Sequence, residues 1–374
     1  MDCSQGYLLK YARINRATGL SRNGNAELDA YVRHARRNTL WIVALLISIV
    51  ILGTIAIVLG PLDLSIADVY ATILHRFFPG LFSPPSELAE RTIWYIRLPR
   101  LIMGIAAGFS LAVSGAVMQP VLRNPLASPF TLGISAGAGF GAAIAIVFQK
   151  SLGAGTFFVV ANAFVFALFT AFVILGLARY KGATPETMIL TGVAISYLFH
   201  ACTTLMEYFA DAWAVREVVF WLVGSLAKAT WGNLGYILLV LVGCTPILIY
   251  KAWDLNVMSI GDEAAKSLGT RVQRTRMLLM VVASLVTATT ICFTGTIGFI
   301  GLVAPHITRM IIGGDNRFVV PASGLLGALL LAGADILAVN IISPTVIPIG
   351  VMTSFMGVPL FIYLIMRRKR ETWR

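Results

Sequence analysis

The sequence predicts an all-α polytopic membrane protein of about ten transmembrane helices. Three observations predict it. The 374-residue chain is 58% hydrophobic and 12% charged, with a mean hydropathy of +0.83, whereas ordinary soluble domains are about 25% charged. Its apolar runs reach the roughly 17 to 25 residues that a bilayer requires. Its cations also alternate from loop to loop, with 22 of the 29 Lys and Arg falling on one side.

The elements follow in order. Residues 1–38 are polar and carry seven cations from Lys10 to Arg37 without an apolar core. They read as a cytoplasmic tail rather than a cleaved signal, and leave 39–370 as the transmembrane domain. The first span covers about 40–60. The second, 101–118, is introduced by Arg97-Leu98-Pro99-Arg100, where proline stiffens the approach and two arginines lie three residues apart. These can face an outer surface or snorkel to lipid phosphate. The third span, 130–148, opens on Gly133, Gly137 and Gly141, whose four-residue spacing is a close-packing face. The same stretch fits GxSxG around Ser135, but a hydrophobic helix lacks the strand-to-helix turn and partner histidine of a nucleophile elbow. Spans at 155–177, 187–208 and 231–250 come next.

The loop 251–276 contains Gly261-Asp262-Glu263-Ala264-Ala265-Lys266-Ser267-Leu268-Gly269. Acids in the first turn and a terminal glycine mark a short helix, either a plain connector or a docking element. Spans at 277–293 and 297–313 are separated by Thr294-Gly295-Thr296-Ile297-Gly298, and spans at 319–341 and 343–366 complete the set. A break at membrane depth survives only where its peptide groups are packed in protein or line a wet cavity, which points to a transport pathway.

Ten spans put both termini on one side, together with Arg123, Arg179, Lys181, the five cations from Lys251 to Arg276, Arg309, Arg317 and the five from Arg367 to Arg374. The positive-inside bias makes that side cytoplasmic. Arg76, Arg91, Arg97, Arg100, Lys150, Arg216 and Lys228 remain opposite. Topology and anionic lipid account for the net charge of +12, so no nucleic-acid partner is expected. The chain has no GxxxxGK[ST] and no HExxH, and its four cysteines, Cys3, Cys202, Cys244 and Cys292, form no CxxC. Nucleotide binding by a P-loop, zinc peptidase chemistry and a disulfide or metal framework are thereby set aside. No catalytic residue or metal ligand is expected. His34, His75, His200 and His306 are dispersed and read as structural or surface residues.

Several motifs share one order. Arg97 to Arg100, Ser114 to Gln119, Arg123-Asn124-Pro125-Leu126-Ala127-Ser128-Pro129, Trp221 to Ser225, the Gly261–Gly269 loop, the Gly295–Arg309 signature, Asp335 and Pro348-Ile349-Gly350 resemble the FecCD-type (BtuC-like) permeases of ABC importers for iron-siderophores, haem and cobalamin. The resemblance covers about 40–370. It implies the type II importer permease fold, a second permease subunit (a homodimer by default), two cytoplasmic ATPase subunits that use ATP and Mg, an extracytoplasmic binding protein, and a place in the cytoplasmic membrane of a prokaryote. No cofactor is expected on the permease itself. By the same resemblance Arg97 and Arg100 dock the binding protein and Gly261 to Gly269 couple to the ATPase. Asn124, Pro125, Leu126 and Thr184 form the cytoplasmic gate. Gly298, Gly301, Pro305, His306, Arg309, Asp335, Pro348 and Gly350 are signature positions.

Two positions depart from the family pattern: Val339 and Val346 stand where relatives often carry Arg and Glu. The reading is that apolar packing replaces an outer charge pair and leaves docking to Arg97 and Arg100. An ion-gradient-driven secondary transporter is the competing class. It would need membrane carboxylates, and Asp335 is the clear intramembrane acid.

Overall fold

In the computed structural model the described residues are 22–60, 64–82, 84–152, 155–180 and 184–367. Cys3, Lys10, Lys181 and the cations from residue 368 onward lie outside them. The chain divides into two units, Met1–Ala44 and Leu45–Arg374. Helix α1 covers Arg22–Val58; it starts earlier than the expected span because residues 26–39 contain neither Gly nor Pro to stop it.

Three short helices fall in loops that hydropathy leaves blank. They are α2 (Ile66–Phe77) and α3 (Glu87–Thr92), with N-caps Ser65 and Ser86 bonding Asp68 N and Ala89 N, and α8 (Ala212–Leu222), capped by Asp211. After α3 one wide turn, Ile93–Arg97, runs straight into α4 (Leu98–Val121). The remaining membrane helices are α5 (Ile134–Leu152), α6 (Thr156–Tyr180), α7 (Pro185–Phe209) and α9 (Trp231–Tyr250). After them come α12 (Val272–Thr294), α13 (Ile300–Ile312), α14 (Asn316–Asn340) and α15 (Ile349–Arg367). Among the described residues seven helices are long and apolar enough to cross a bilayer and three shorter apolar helices accompany them, so ten segments stand where ten were expected. Helix α13, however, has 13 residues, or about 20 Å at 1.5 Å per residue, and does not span alone.

Helix α4 is the axis of the bundle and is buried almost throughout. It can be central because it is narrow at its crossings. A Cβ at Gly108 would meet the backbone of Gly327 and Ala328 on α14, and one at Gly115 would meet the carbonyl of Gly301 on α13. Ser114 Oγ donates to Ala283 O of α12 at 3.1 Å. The predicted glycine face of α5 behaves alike, with Gly137 against Phe166 and Thr170, Gly141 against Asn162, and Gly133 against Gly192 and Ser196. Between helices in lipid, where no hydrophobic drive is available, such close backbone approach supplies the packing energy.

The break is knitted by two remote segments. Ser225 N donates to Thr294 O at 2.8 Å, Gly350 N donates to Val223 O at 2.9 Å, and Thr296 Oγ1 donates to Leu222 O. Gly295 turns the chain at φ +70, and a side chain there would strike Trp221 O. Three motifs separated by more than fifty residues therefore meet at one place.

Gly115→Ala should lower the unfolding midpoint in detergent, at a cost of roughly 1–3 kcal/mol from overpacking. Gly176→Ala, where nothing lies within 4 Å of the new Cβ, should be neutral or stabilising.

Candidate functional site

Two polar assemblies sit at opposite ends of α4. At its Leu98 end, Arg97 Nη1 donates to Ile57 O at 2.6 Å and Val58 O at 2.9 Å, satisfying the last carbonyls of α1, which have no intrahelical donor. Arg100 makes a two-pronged pair with Asp335 of α14, Nε to Oδ2 at 2.8 Å and Nη2 to Oδ1 at 2.8 Å. The two side chains are 17% and 12% exposed. Both guanidinium groups thus hold partners within the chain and stay partly exposed. A low-dielectric surrounding makes bare carbonyls and a bare carboxylate more demanding partners than water.

Val339 and Val346, the two departures, line the same cavity of about 310 Å³ as Arg97, Arg100 and Asp335. An adjoining cavity of about 510 Å³ is lined by Arg100, Glu217, Lys228, Thr294, Gly295 and Pro348, among others. Aromatic residues flank this end: Trp231 Nε1 donates to Trp94 O at 2.8 Å, and the Arg76 guanidinium lies 5.6 Å from the Trp94 ring centroid.

At the Val121 end the expected coupling loop forms α10 (Ala252–Ile260) and α11 (Asp262–Ser267). Gly261 at φ +141 turns between them, and Gly269 at φ +86 ends α11 with Thr270 N donating to Ala265 O. Ala265 is buried on Met258 and Val272, while Glu263, Lys266, Ser267 and Leu268 are exposed. A short helix anchored on one face and bare on the other is a docking shape.

Asp262 carries the sharpest geometry. Its Oδ1 accepts from Arg123 Nη2 and from Arg276 Nη2, the latter at 2.8 Å. Arg276, 1% exposed at the start of the second turn of α12, also donates from Nε to Val121 O at 3.3 Å. Burial alone would raise the Asp262 carboxyl, but the hydrogen bond and charge of Arg276, with the charge of Arg123, outweigh it and hold it below the ordinary value of 3.8. Arg123 begins the turn toward Pro125. Asn124 Oδ1 accepts from Leu126 N at 2.9 Å, and Leu126 is half exposed. Thr184 caps α7 by accepting from Thr187 N at 3.3 Å.

A second lash ties α10 to α14. Asn256 Oδ1 accepts from Asn316 N at 2.7 Å, and its Nδ2 donates to Asp315 Oδ1 at 2.7 Å. Arg309 of α13 joins Asn316 Oδ1 at 2.9 Å to Ala116 O at 3.2 Å. The Asp315 carboxyl, raised by burial but lowered more by hydrogen bonds from Arg317 and Asn256, also sits below 3.8. Of the other signature residues, Gly301 abuts Leu111 O, His306 packs edge-on to Phe361, and Pro305 is buried. Gly298 lies in open space, and Pro348 and Gly350 adjoin the break.

The sequence reading missed the partners of Arg123, Arg276 and Asn256. Arg276 stands third after Arg271 and Arg274 just ahead of the span at 277–293, so nothing in the sequence set it apart from the other loop cations. His200, read as a structural or surface residue, is exposed near the middle of α7. It shares a face with Tyr197, Thr204 and Tyr208 at spacings of three and four residues, beside apolar Leu198, Leu205 and Phe209.

The FecCD transport family matches residues 46–367. A protein of Methanocaldococcus jannaschii assigned as an ABC transporter permease is 43% identical over 90% of this chain and 97% of its own length. The cobalamin import system permease protein BtuC of Halobacterium salinarum is 39% identical over 78% of this chain and 77% of its own. An inward-facing structure described as a metal-chelate type ABC transporter superposes with a TM-score of 0.77 at 28% identity, covering 87% of this chain and 99% of that one.

Asp335→Ala should destabilise the protein by about 3 kcal/mol, because it strands a buried guanidinium, and Arg100→Met with Asp335→Leu should recover most of the loss; thermal unfolding in detergent reads both. The lowered carboxyls of Asp262 and Asp315 contribute stability that is complete above pH 3.8 and lost as pH falls through their folded values. Asp262→Asn with Asp315→Asn should flatten that acid limb.

Proposed function

The chain belongs to the FecCD transport family and is the membrane permease of an ABC importer, and on that premise we propose how it works and what it carries. Two copies form the pathway between them, two ATPase subunits bind at the α10–α11 end, and a binding protein delivers cargo at the α2–α3 end. Both termini lie on the ATPase side in the cytoplasmic membrane. The cargo is a metal chelate of the cobalamin, haem or ferric siderophore kind. The carrying observation is a family match across 46–367 in a chain with no P-loop.

The permease performs no bond chemistry. Closure of the ATPase dimer moves α11, and the helices swing between outward and inward openings, a shift between two packed arrangements. Exposed Glu263, Lys266 and Leu268 meet the ATPase. The cytoplasmic gate is the Asn124–Leu126 turn with Thr184. At the other end Arg100 spends Nε and Nη2 on Asp335. A guanidinium carries five donors, so Nη1 remains to greet a carboxylate of the binding protein, with Arg97 beside it. The polar half of the exposed face of α7 turns to the pathway, since lipid penalises an exposed imidazole. Hydroxyl groups of Tyr197, Thr204 and Tyr208 there offer cargo weak, reversible contacts. Asp335, already paired, is no free ion-binding carboxylate, which argues against gradient-driven transport.

Proteoliposomes containing the permease, its ATPase and binding protein loaded with cobalamin, haem or ferric siderophore should accumulate one of the three only with ATP. Glu263→Lys with Leu268→Asp should abolish both accumulation and cargo-stimulated hydrolysis. Uptake that follows an imposed proton or sodium gradient without ATP would defeat the reading.

A further inference from the structure

We infer that Asp262 is the joint through which α11 holds the gate turn, and that its bond to Arg123 is the link that opens and closes as the importer cycles. The inference rests on the proposed docking role of α11 and assigns that role a path into the membrane domain.

Three elements converge on one carboxylate oxygen. Asp262 opens α11, Arg276 lies on the second turn of α12, and Arg123 follows the end of α4. The two arginines are not equivalent. Arg276 is buried and has Val121 O as a further acceptor; moving Asp262 away would leave a desolvated cation, which is costly. Arg123 has a side chain 38% exposed and can exchange the carboxylate for water. When α11 shifts, the Arg276 bond travels with it and the Arg123 bond yields.

The backbone supports the same reading. Arg123 is one of two non-glycine residues at positive φ among those described, at +45. A glycine would adopt this conformation without steric cost, so the position holds an arginine against local preference. What the arginine adds is the guanidinium on Asp262. Asn124 and Leu126 follow immediately, closed in their own side-chain turn, so that displacing Arg123 moves Leu126. Arg123 is on this account a positioning residue that touches no cargo.

The test uses the assembled complex of permease and ATPase, in a background without the four native cysteines, with a spin label at Leu126→Cys. Label mobility is read by electron paramagnetic resonance without nucleotide and with ATP plus vanadate. The parent should show two distinct mobilities. Arg123→Gln and Arg123→Gly should both collapse the difference to under a third, with the label mobile in each state, and Arg123→Lys should restore at least half. Arg123→Gly is the decisive variant, because it relaxes the backbone while deleting the guanidinium. A retained nucleotide response in Arg123→Gly would overturn the joint. ATPase binding to Glu263→Lys separates the two readings. Weakened binding with a silent Arg123→Gly removes the joint alone, whereas unweakened binding removes the docking role of α11 and the joint with it.

Discussion

The fold depends on giving partners to peptide groups that cannot be left bare in hydrocarbon. Residues 295–299 interrupt a membrane segment, and every N–H or C=O freed there must find an acceptor or donor inside the protein. The stretch 222–225 and the start of α15 pin the interruption, through Ser225 N to Thr294 O, Thr296 Oγ1 to Leu222 O and Gly350 N to Val223 O, while Gly298 O accepts from Ile300 N and Phe299 O accepts from Leu302 N and Val303 N of α13. Gly224, Gly295 and Gly350 are where they are because a Cβ at any of them would strike a neighbouring carbonyl. Once these segments are pinned, α13 is short, α4 is enclosed by α12, α13 and α14, and the two polar assemblies are held at the ends of a common axis.

Arginine recurs where that axis needs a strong, fixed donor. Arg97 satisfies the carbonyls of α1, Arg100 and Asp335 neutralise one another, Arg309 bridges α13 to α4, and Arg276 ties α12 to both α4 and α11. A planar fork holds several acceptors at once with little further loss of freedom, which an ammonium on a flexible stem does not. Buried charge pairs of this kind confer little net stability, but breaking one partner is expensive. They therefore fix which carbonyl and which carboxylate meet.

Much of this was legible in the sequence. Length and apolarity gave ten segments, the Gly295–Gly298 cluster gave the break, and the acids after Gly261 with Gly269 gave the limits of α11 within two residues. These signals are local, and local periodicity reports local structure. What escaped was partner choice over long separations. Nothing near Arg100 reveals that its carboxylate lies 235 residues away, and nothing near Arg123 reveals Asp262. The short helices α2, α3 and α8 escaped for another reason, since their caps at Ser65, Ser86 and Asp211 are modest signals beside long apolar runs. Family resemblance supplied roles for Arg97 and Arg100 but not their geometry.

The shortness of α13 has an electrical consequence. A helix of about 20 Å is well below the roughly 30 Å of bilayer hydrocarbon, and the cavity that reaches Thr294 and Gly295 carries Glu217, Lys228 and Arg100 on its walls. Water filling that recess brings the dielectric constant of the medium down to the level of the break. The membrane voltage, worth about 2.3 kcal/mol per elementary charge per 100 mV, then falls mainly between the floor of that recess and the Val121 end of α4. A charged chelate would feel most of that drop between Gly295 and the Asn124–Leu126 turn.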